Sequence, residues 1–97
     1  MKLQIRILSN NVNLVTAIAY GEGTGFHQKA TMRAERIANS KVRISIDSTI
    51  FFYDENIVEP EEPYMKEIAS STDVKTLAVN ELIKVIANET ADIDILE

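Results

Sequence analysis

Hydrophobic and polar side chains alternate at the start of the chain. Leu3, Ile5 and Ile7 alternate with Lys2, Gln4 and Arg6. This period of two predicts an antiparallel strand over residues 2–8 that is covered on one face only. Residues 9–11, Ser-Asn-Asn, have the composition of a turn because Asn tolerates a left-handed backbone. Residues 12–20 are therefore predicted to form the returning strand.

The predicted second strand has two unlike faces. One face carries Ile18 and Tyr20. The other face carries only small or short apolar side chains: Val15, Ala17 and Ala19. We assign this small face to the outer side of the sheet, which predicts an outer surface that is partly apolar.

Helical spacing occurs in two later segments. Ala30, Ala34 and Ile37 continue a spacing that begins at Phe26. This spacing predicts a helix over residues 26–39, with Thr24 as its N-cap. The strongest amphipathic pattern lies at residues 74–86, after the capping cluster at 71–73, and predicts a second main helix. Pro63 suits the first turn of a short extra helix near residues 63–70.

Strand signals return between the two predicted helices. Residues 41–47 alternate, and residues 50–53 are rich in aromatic side chains; they predict two strands, or one long bent strand over 41–53. Residues 89–97 are predicted to be an acidic tail or an edge strand. The order ββαββα predicts an α+β fold, a two-layer sandwich. Two main helices would cover one face of a four-stranded, mainly antiparallel sheet.

All three glycines fall in one segment, Gly21-Glu22-Gly23-Thr24-Gly25, between the predicted strand and the predicted helix. Glycines there let backbone N–H groups approach an anion, and the helix N-terminus adds partial positive charge. The predicted ligand-binding residues are Gly21, Gly23, Thr24, Gly25, Lys29 and Arg33. The segment lacks the Gly-Lys-Ser/Thr ending of a P-loop. The alternative is a tight turn that needs positive φ.

The same region resembles the C-terminal half of a double-stranded-RNA-binding domain. That half contains a strand, a G-x-G element and an alanine-rich helix with basic residues, matched here by residues 14–20, 23–25 and 26–38. The chain departs from the family at Phe26-His27-Gln28, where the family has Ser-Lys-Lys. The preceding residues also lack the family's first helix and third strand. The resemblance implies that Lys29 and Arg33 contact nucleic-acid phosphates.

Length and composition limit the class of protein. Ninety-seven residues fit a single domain over residues 1–97. The chain contains no cysteine, which excludes disulfides and cysteine-ligated metals. We see no signal-peptide pattern and no apolar run approaching the roughly 20 residues of a membrane helix. These features predict a soluble, cytoplasmic protein with no membrane segment.

Charge is distributed unevenly along the chain. Residues 1–48 carry seven Lys or Arg and three acids, a net charge of +4. Residues 49–97 carry three Lys and twelve acids, a net charge of −9. This asymmetry indicates an anion-binding half beside an acidic half, or two halves that attract each other.

Basic side chains are predicted to gather on the outer face of the sheet and on the first helix. The candidate nucleic-acid-binding residues are Arg6, Arg36, Lys41 and Arg43. Phe51 and Tyr53 are expected on the same face, and basic residues interleaved with aromatic rings can bind single strands. The alternative is a homo-oligomer interface in which Val15, Ala17 and Phe51 bury each other. The net charge of −5 favours this alternative.

Signals for catalysis or metal binding are weak. His27 is the only histidine, and no nucleophile–base–acid set surrounds it in the sequence. Glu22 or Glu35 would have to orient it. The acids between residues 54 and 62 lack the spacing of a calcium loop. We predict no enzyme activity, no catalytic residue, no metal and no cofactor.

Together these patterns predict a small non-enzymatic binding or regulatory domain that self-associates. Its anion or phosphate site would be the Gly21–Gly25 loop with the start of the following helix, and its partner a small anionic ligand or a protein surface. Two alternatives stay open. One is backbone-type RNA or DNA binding through Lys29, Arg33, Arg36 and Arg43. The other is an acidic inhibitor that mimics nucleic acid through its C-terminal half.

Overall fold

Seven strands and one helix make up the part of the chain that the computed structural model describes, residues 1–54, 56–86 and 92–97. In chain order they are β1 (Lys2–Asn10), β2 (Leu14–Gly23), β3 (Phe26–Ala38), β4 (Lys41–Phe52), β5 (Ile57–Pro60), β6 (Tyr64–Ala69), α1 (Val74–Ile86) and β7 (Asp92–Leu96). The strand order is β5-β4-β3-β2-β1-β7, and β6 pairs with β4. The sheet is mixed, because β7 runs parallel to β1 whereas the other pairs are antiparallel.

The two longest strands determine the shape of the sheet. β3 contains 13 residues and β4 contains 12. Because β4 is so long, two short strands share its outer edge: β6 pairs with residues 41–46 and β5 with residues 49–52. Of the alternatives for residues 41–53, the single long strand is the one observed.

One face of the sheet encloses the core with α1. Its buried side chains are Leu3, Ile5, Val15, Ala17, Ala19, Ala30, Met32, Ala34, Val42, Ile44 and Ile46, and α1 adds Val74, Ala78, Val79, Leu82 and Ile86. The helix packs across β2, β3 and β4. Four of the buried residues on β2 and β3 are alanines: Ala17, Ala19, Ala30 and Ala34. We call this side the inner face and the opposite side the outer face.

The predicted four-stranded sheet with two main helices is wrong. Residues 26–38 form β3, and the segment predicted as a short extra helix contains β6. Ala30 and Ala34 lie four residues apart, a spacing that fits both a helix face and a strand face. Pairing with β2 and β4 on both sides, and burial beneath α1, select the strand. Tertiary contacts therefore override the helix preference of alanine.

The faces of β2 are the reverse of those predicted. Val15, Ala17 and Ala19 face inward and are buried. Ile18 and Tyr20 face outward and are 40% and 37% exposed. The predicted helix at residues 74–86 is observed with those bounds. Residues 92–96 form edge strand β7, and residues 89–91 of the predicted acidic tail lie outside the described residues.

The start of α1 is fixed by Asp73. The Asp73 carboxylate accepts hydrogen bonds from the Thr76 backbone N–H at 3.1 Å and from the Thr76 hydroxyl at 2.7 Å. This is the N-cap that the capping cluster predicted. The hydrogen bonds from Thr76 hold the pKa of Asp73 below its usual value.

A buried carboxylate joins α1 to β6. Glu81 is only 4% exposed. It accepts a hydrogen bond from the Tyr64 hydroxyl at 2.7 Å and another from the Lys84 ammonium at 3.3 Å. Lys66 lies 3.8 Å away. Because each of these partners is polar, the carboxylate is stabilised inside the protein despite its burial.

Candidate functional site

The glycine segment forms a β-hairpin rather than a strand-to-helix turn. Gly21 and Gly23 belong to β2, Thr24 and Gly25 form the turn, and β3 begins at Phe26. Gly25 has a φ of +82°, a conformation that favours glycine. Phe26, the residue after the turn, begins a strand and not the predicted helix. The predicted site loses the helix N-terminus that would have supplied partial positive charge.

The structure separates the six predicted ligand-binding residues. Gly21 faces inward, where a Cβ atom would lie 3.3 Å from the Ile86 side chain. Lys29 and Arg33 lie on the outer face of β3, and Arg33 pairs with Glu35 at 3.4 Å. The resemblance to a double-stranded-RNA-binding domain fails at the same place, because its basic helix corresponds here to a strand.

Arg36, a predicted nucleic-acid contact, is engaged within the chain. Its guanidinium donates to the carbonyl oxygens of Asn39 and Ser70 at 3.0 Å each, and to that of Thr72. These bonds hold the β3–β4 turn against the segment before α1. Three of the five N–H donors of this guanidinium are thus used within the chain.

The other predicted nucleic-acid contacts divide into paired and unpaired side chains. Lys41 and Arg43 flank Glu67, with N–O distances of 3.8 and 3.2 Å. Arg6 forms no ion pair with any carboxylate in the described part of the chain, and neither does Lys29. Arg6 and Lys29 therefore retain charge that a ligand could neutralise.

A groove of about 850 Å³ crosses the outer face of the sheet, and both of these cations line it. Leu96 of β7 lies on one side, and the Pro60–Pro63 connection lies on the other. The central lining comes from Gln4, Ile18, Tyr20, Thr31 and Thr49. Asp47 and Glu61 add acidic groups at the β4 side. This volume lies within the range of small-molecule sites.

Strand register explains how distant residues meet in the groove. One cross-strand row contains Gln4, Tyr20, Lys29, Thr49 and Pro60. The neighbouring row contains Arg6, Ile18, Thr31 and Asp47. Arg6 and Lys29 thus lie on opposite sides of β2, with Ile18 and Tyr20 between them. Asp47 lies three strands from Arg6, or about 14 Å at the usual strand spacing.

A ladder of aromatic rings borders the groove. It contains one ring from each of three strands: Tyr20 on β2, His27 on β3 and Phe51 on β4. The Tyr20 and His27 rings have centroids 5.5 Å apart and an interplanar angle of 26°. The His27 and Phe51 rings have centroids 4.6 Å apart and an interplanar angle of 13°. The Lys29 ammonium lies 5.6 Å from the centroid of the Phe51 ring. The sequence analysis missed this ladder because it placed Tyr20 on the inner face. Finding it also requires that residues 26–38 form a strand paired with β2 and β4, whereas their helical spacing predicts a helix.

His27 is held by rings and by a hydroxyl. Its Nδ1 lies 3.0 Å from the Tyr53 hydroxyl, and the two rings are 5.3 Å apart. Glu22 pairs with His27 in the β2–β3 register, but no hydrogen bond joins their side chains. Desolvation, followed by the influence of Tyr20 and Glu22, raises the pKa of Tyr53. Tyr53 is therefore a neutral phenol at neutral pH.

The acids proposed to mimic nucleic acid do not share one surface. Glu59 lies on β5, at one edge of the sheet, and Glu61 follows it. Asp92 and Asp94 lie on β7, at the opposite edge. The C-terminal half of the sequence is acidic as a whole, but the fold divides its charge between two edges.

The outer surface predicted for self-association is also different from the one observed. Val15 and Ala17 lie in the core beneath α1, whereas Phe51 lies in the outer aromatic ladder. These three side chains therefore cannot bury each other in one interface. Self-association itself stays a prediction.

Comparison with protein-family models, with curated proteins and with solved structures finds no match in any of the three. Within residues 1–54, 56–86 and 92–97, no group of three or more His, Asp or Glu side chains could hold a metal ion. In the same ranges no helix has the length and apolar character needed to cross a bilayer.

Proposed function

We propose that this chain is a non-enzymatic binding domain that holds a small amphipathic anion in the groove on its outer face. The observation that carries the proposal is the position of Arg6 and Lys29. Both line the groove, and neither forms an ion pair with a carboxylate of the described residues. Ile18 and Tyr20 lie between them and offer apolar surface.

The chemistry of these side chains favours an anion with an apolar body. A guanidinium or ammonium binds a carboxylate or phosphate by charge-assisted hydrogen bonds. Such bonds gain strength where neighbouring apolar groups exclude water. Ile18 and Tyr20 are large apolar residues left partly exposed, which is typical of a binding surface when they share one concave face.

The same observations favour this proposal over a nucleic-acid interface. Arg33, Arg36, Lys41 and Arg43 all have partners within the chain. The net charge of −5 opposes binding to a polyanion. The acidic-inhibitor alternative receives no support from the two separated acidic edges. A cytoplasmic location and self-association stay predictions; sedimentation velocity over a concentration series tests the latter.

A pair of matched probes tests the proposed function. Decanoate and decyltrimethylammonium share an alkyl chain of equal length and carry opposite charges. We expect decanoate to shift the NMR amide signals of Ile18 and Thr31 in a saturable way, because its carboxylate can bind Arg6 and Lys29. Decyltrimethylammonium should shift the signals of Ile18 and Thr31 less, since Arg6 and Lys29 repel it there although Asp47 and Glu61 also line the groove.

Two variants complete the test. Arg6→Gln combined with Lys29→Gln should weaken decanoate binding about tenfold or more, the usual value of a charge-assisted hydrogen bond. Arg33→Gln is the control, because Arg33 already pairs with Glu35. Equal binding of both probes, or full affinity in the double variant, would contradict the proposal.

A further inference from the structure

We infer that the ligand carries a planar aromatic ring, which stacks against Tyr20 and extends the aromatic ladder across the groove. This inference rests on the proposed function, because the ring's anionic group would be the one that Arg6 and Lys29 hold. It adds a specificity that charge alone does not give. A flexible aliphatic anion would satisfy the cations but not the ring surface.

The ladder has a direction. It runs from Phe51 on β4 through His27 on β3 to Tyr20 on β2, with nearly parallel rings. One ring per strand at about 5 Å matches the spacing of neighbouring strands. The middle ring, His27, is stacked on both of its faces, so neither face is available to a ligand.

The ladder ends at Tyr20, on the side of the groove. The residue opposite Tyr20 on β1 is Gln4, which has no ring, and the next outward residue on β1 is Arg6. Tyr20, Gln4 and Arg6 all line the groove. The face of Tyr20 toward β1 is therefore where a ligand ring that lies in the groove above Gln4 would continue the stack.

The surroundings of this position suit an aromatic anion. Arg6 can place its planar guanidinium against a ring or bind the anionic group bidentately. Lys29 lies opposite Tyr20 on β3, with its ammonium 5.6 Å from the centroid of the Phe51 ring, so it would have to extend over Tyr20 to reach the same ligand. Gln4 offers both an amide donor and an amide acceptor to the ring edge.

The neighbouring His27 ring holds Tyr20 in place before any ligand arrives. His27 stacks on Tyr20 and is itself fixed by Phe51 and by its 3.0 Å contact with the Tyr53 hydroxyl. A side chain that is already ordered loses less conformational entropy on binding. The ladder thus prepares one ring face for recognition.

The test compares an aromatic with an aliphatic anion. The probes are 2-naphthoate and decanoate, which carry the same carboxylate on apolar bodies of similar size. We expect 2-naphthoate to bind roughly three- to tenfold more tightly, the usual gain from one aromatic pair. Because the naphthoate ring would lie over the face of Tyr20, its ring current should shift the aromatic proton signals of Tyr20 upfield, which decanoate cannot do.

Two matched variants assign the effect. Tyr20→Leu keeps apolar bulk but removes the ring, so the ratio of the 2-naphthoate affinity to the decanoate affinity should fall to about one. Phe52→Leu removes an aromatic ring that belongs neither to the ladder nor to the lining of the groove, so the preference should persist. Circular dichroism of each variant establishes that the fold is retained.

The outcomes separate the two proposals. If both probes bind equally, or if Tyr20→Leu leaves the preference intact, the aromatic inference is wrong and the proposed anion site stands. If neither probe binds, the proposed function fails and the inference fails with it. Preference for 2-naphthoate that depends on Tyr20 but not on Phe52 supports both.

Discussion

The two faces of the sheet differ in a way that hydrophobicity does not predict. On β2 the inward residues Ala17 and Ala19 are at most 5% exposed, whereas the outward residues Ile18 and Tyr20 are 40% and 37% exposed. The larger apolar side chains therefore lie outside and the smaller ones lie inside. The inner face is packed beneath α1, and the outer face is an open groove.

This difference shows that space, as well as apolar character, decides which side chains are buried. On the face that α1 covers, β2 and β3 carry four buried alanines: Ala17, Ala19, Ala30 and Ala34. Burial of an alanine contributes little free energy per residue, so the stability of this face depends on its few large side chains. The outer face uses its large side chains to form a surface.

The largest effect is expected when the same substitution, Ile→Ala, is made once on each face and the two losses of stability are compared. Ile44→Ala removes a side chain that is 0% exposed, so it should cost about 2–5 kcal/mol of unfolding free energy. Ile18→Ala removes the same atoms from a side chain that is 40% exposed, so it should cost less than about 1.5 kcal/mol. Urea denaturation followed by circular dichroism measures both.

The matched pair tests the comparison directly. Equal costs would mean that the outer face is covered in solution, by self-association or by residues packed over the groove. The oligomeric state of each variant, measured by sedimentation at the same concentrations, distinguishes these two cases.

The predictable parts of the fold are those in which the spacing of apolar residues fits either a strand or a helix, but not both. The alternation in β1 and the amphipathic pattern of α1 each allow one interpretation, and both are observed. In β3, Gln28, Ala30, Met32 and Ala34 alternate with polar residues, but alanines four residues apart also fit a helix. Only the pairing of β3 with both neighbours and its cover by α1 resolve that ambiguity, and those contacts are not local.

The candidate site depended on register, which explains why little of it was predicted. Lys29 and Arg6 were both named, but for different sites, because their proximity requires the β1–β2–β3 pairing. Tyr20 was assigned to the inner face because it is larger than Ala19. A one-residue change of register reverses every side chain of a strand. A site built on cross-strand rows is therefore less accessible to sequence analysis than one within a loop.

The next largest effect is expected when a buried acid is replaced, and replacement of an exposed acid is the control. Glu81→Ala leaves the Tyr64 hydroxyl without its 2.7 Å acceptor and should cost about 1–3 kcal/mol. Glu67→Ala removes only exposed ion pairs with Lys41 and Arg43 and should cost less than about 1 kcal/mol. Urea denaturation at neutral pH measures the difference, and equal costs would show that Glu81 is not a structural link.

The contact between Glu81 and Tyr64 also predicts that the stability depends on pH. Burial acts to raise the pKa of Glu81, but hydrogen bonds from Tyr64 and Lys84 and the lysine charges outweigh it and lower the pKa. This contribution to stability is present above the ordinary pKa of 4.5 and is lost as the pH falls through the lowered value. Glu81→Ala should therefore lose less stability in acid than the unmodified chain does.

At high pH, Tyr64 makes the stability fall as the pH rises, which is the opposite of the dependence that Glu81 produces in acid. Desolvation, then the hydrogen bond to Glu81 and its charge, raise the pKa of Tyr64 to about 12. This contribution is present below pH 10.0 and is lost as the pH rises toward 12. Tyr64→Phe should flatten the decline in unfolding free energy over that interval. A decline of the same slope in Tyr64→Phe would assign it to other groups.

The smallest effect concerns the hairpin that joins β2 to β3. Gly25→Ala should cost about 1 kcal/mol, because the φ of +82° opposes a Cβ atom although no atom lies within 4 Å of its position. Gly25→Asn should cost less, since Asn tolerates this conformation. Urea denaturation of the three proteins gives the order.

The same variants decide between the hairpin and the groove as the ligand site. Gly25 does not line the groove, so Gly25→Ala should leave decanoate affinity unchanged, whereas the loss of Arg6 and Lys29 should weaken it. If Gly25→Ala weakened binding as much as the double variant does, the glycine segment would be part of the site after all. The outer face would then bind at its hairpin end, where Gly25 already bonds through its carbonyl to the Tyr53 N–H.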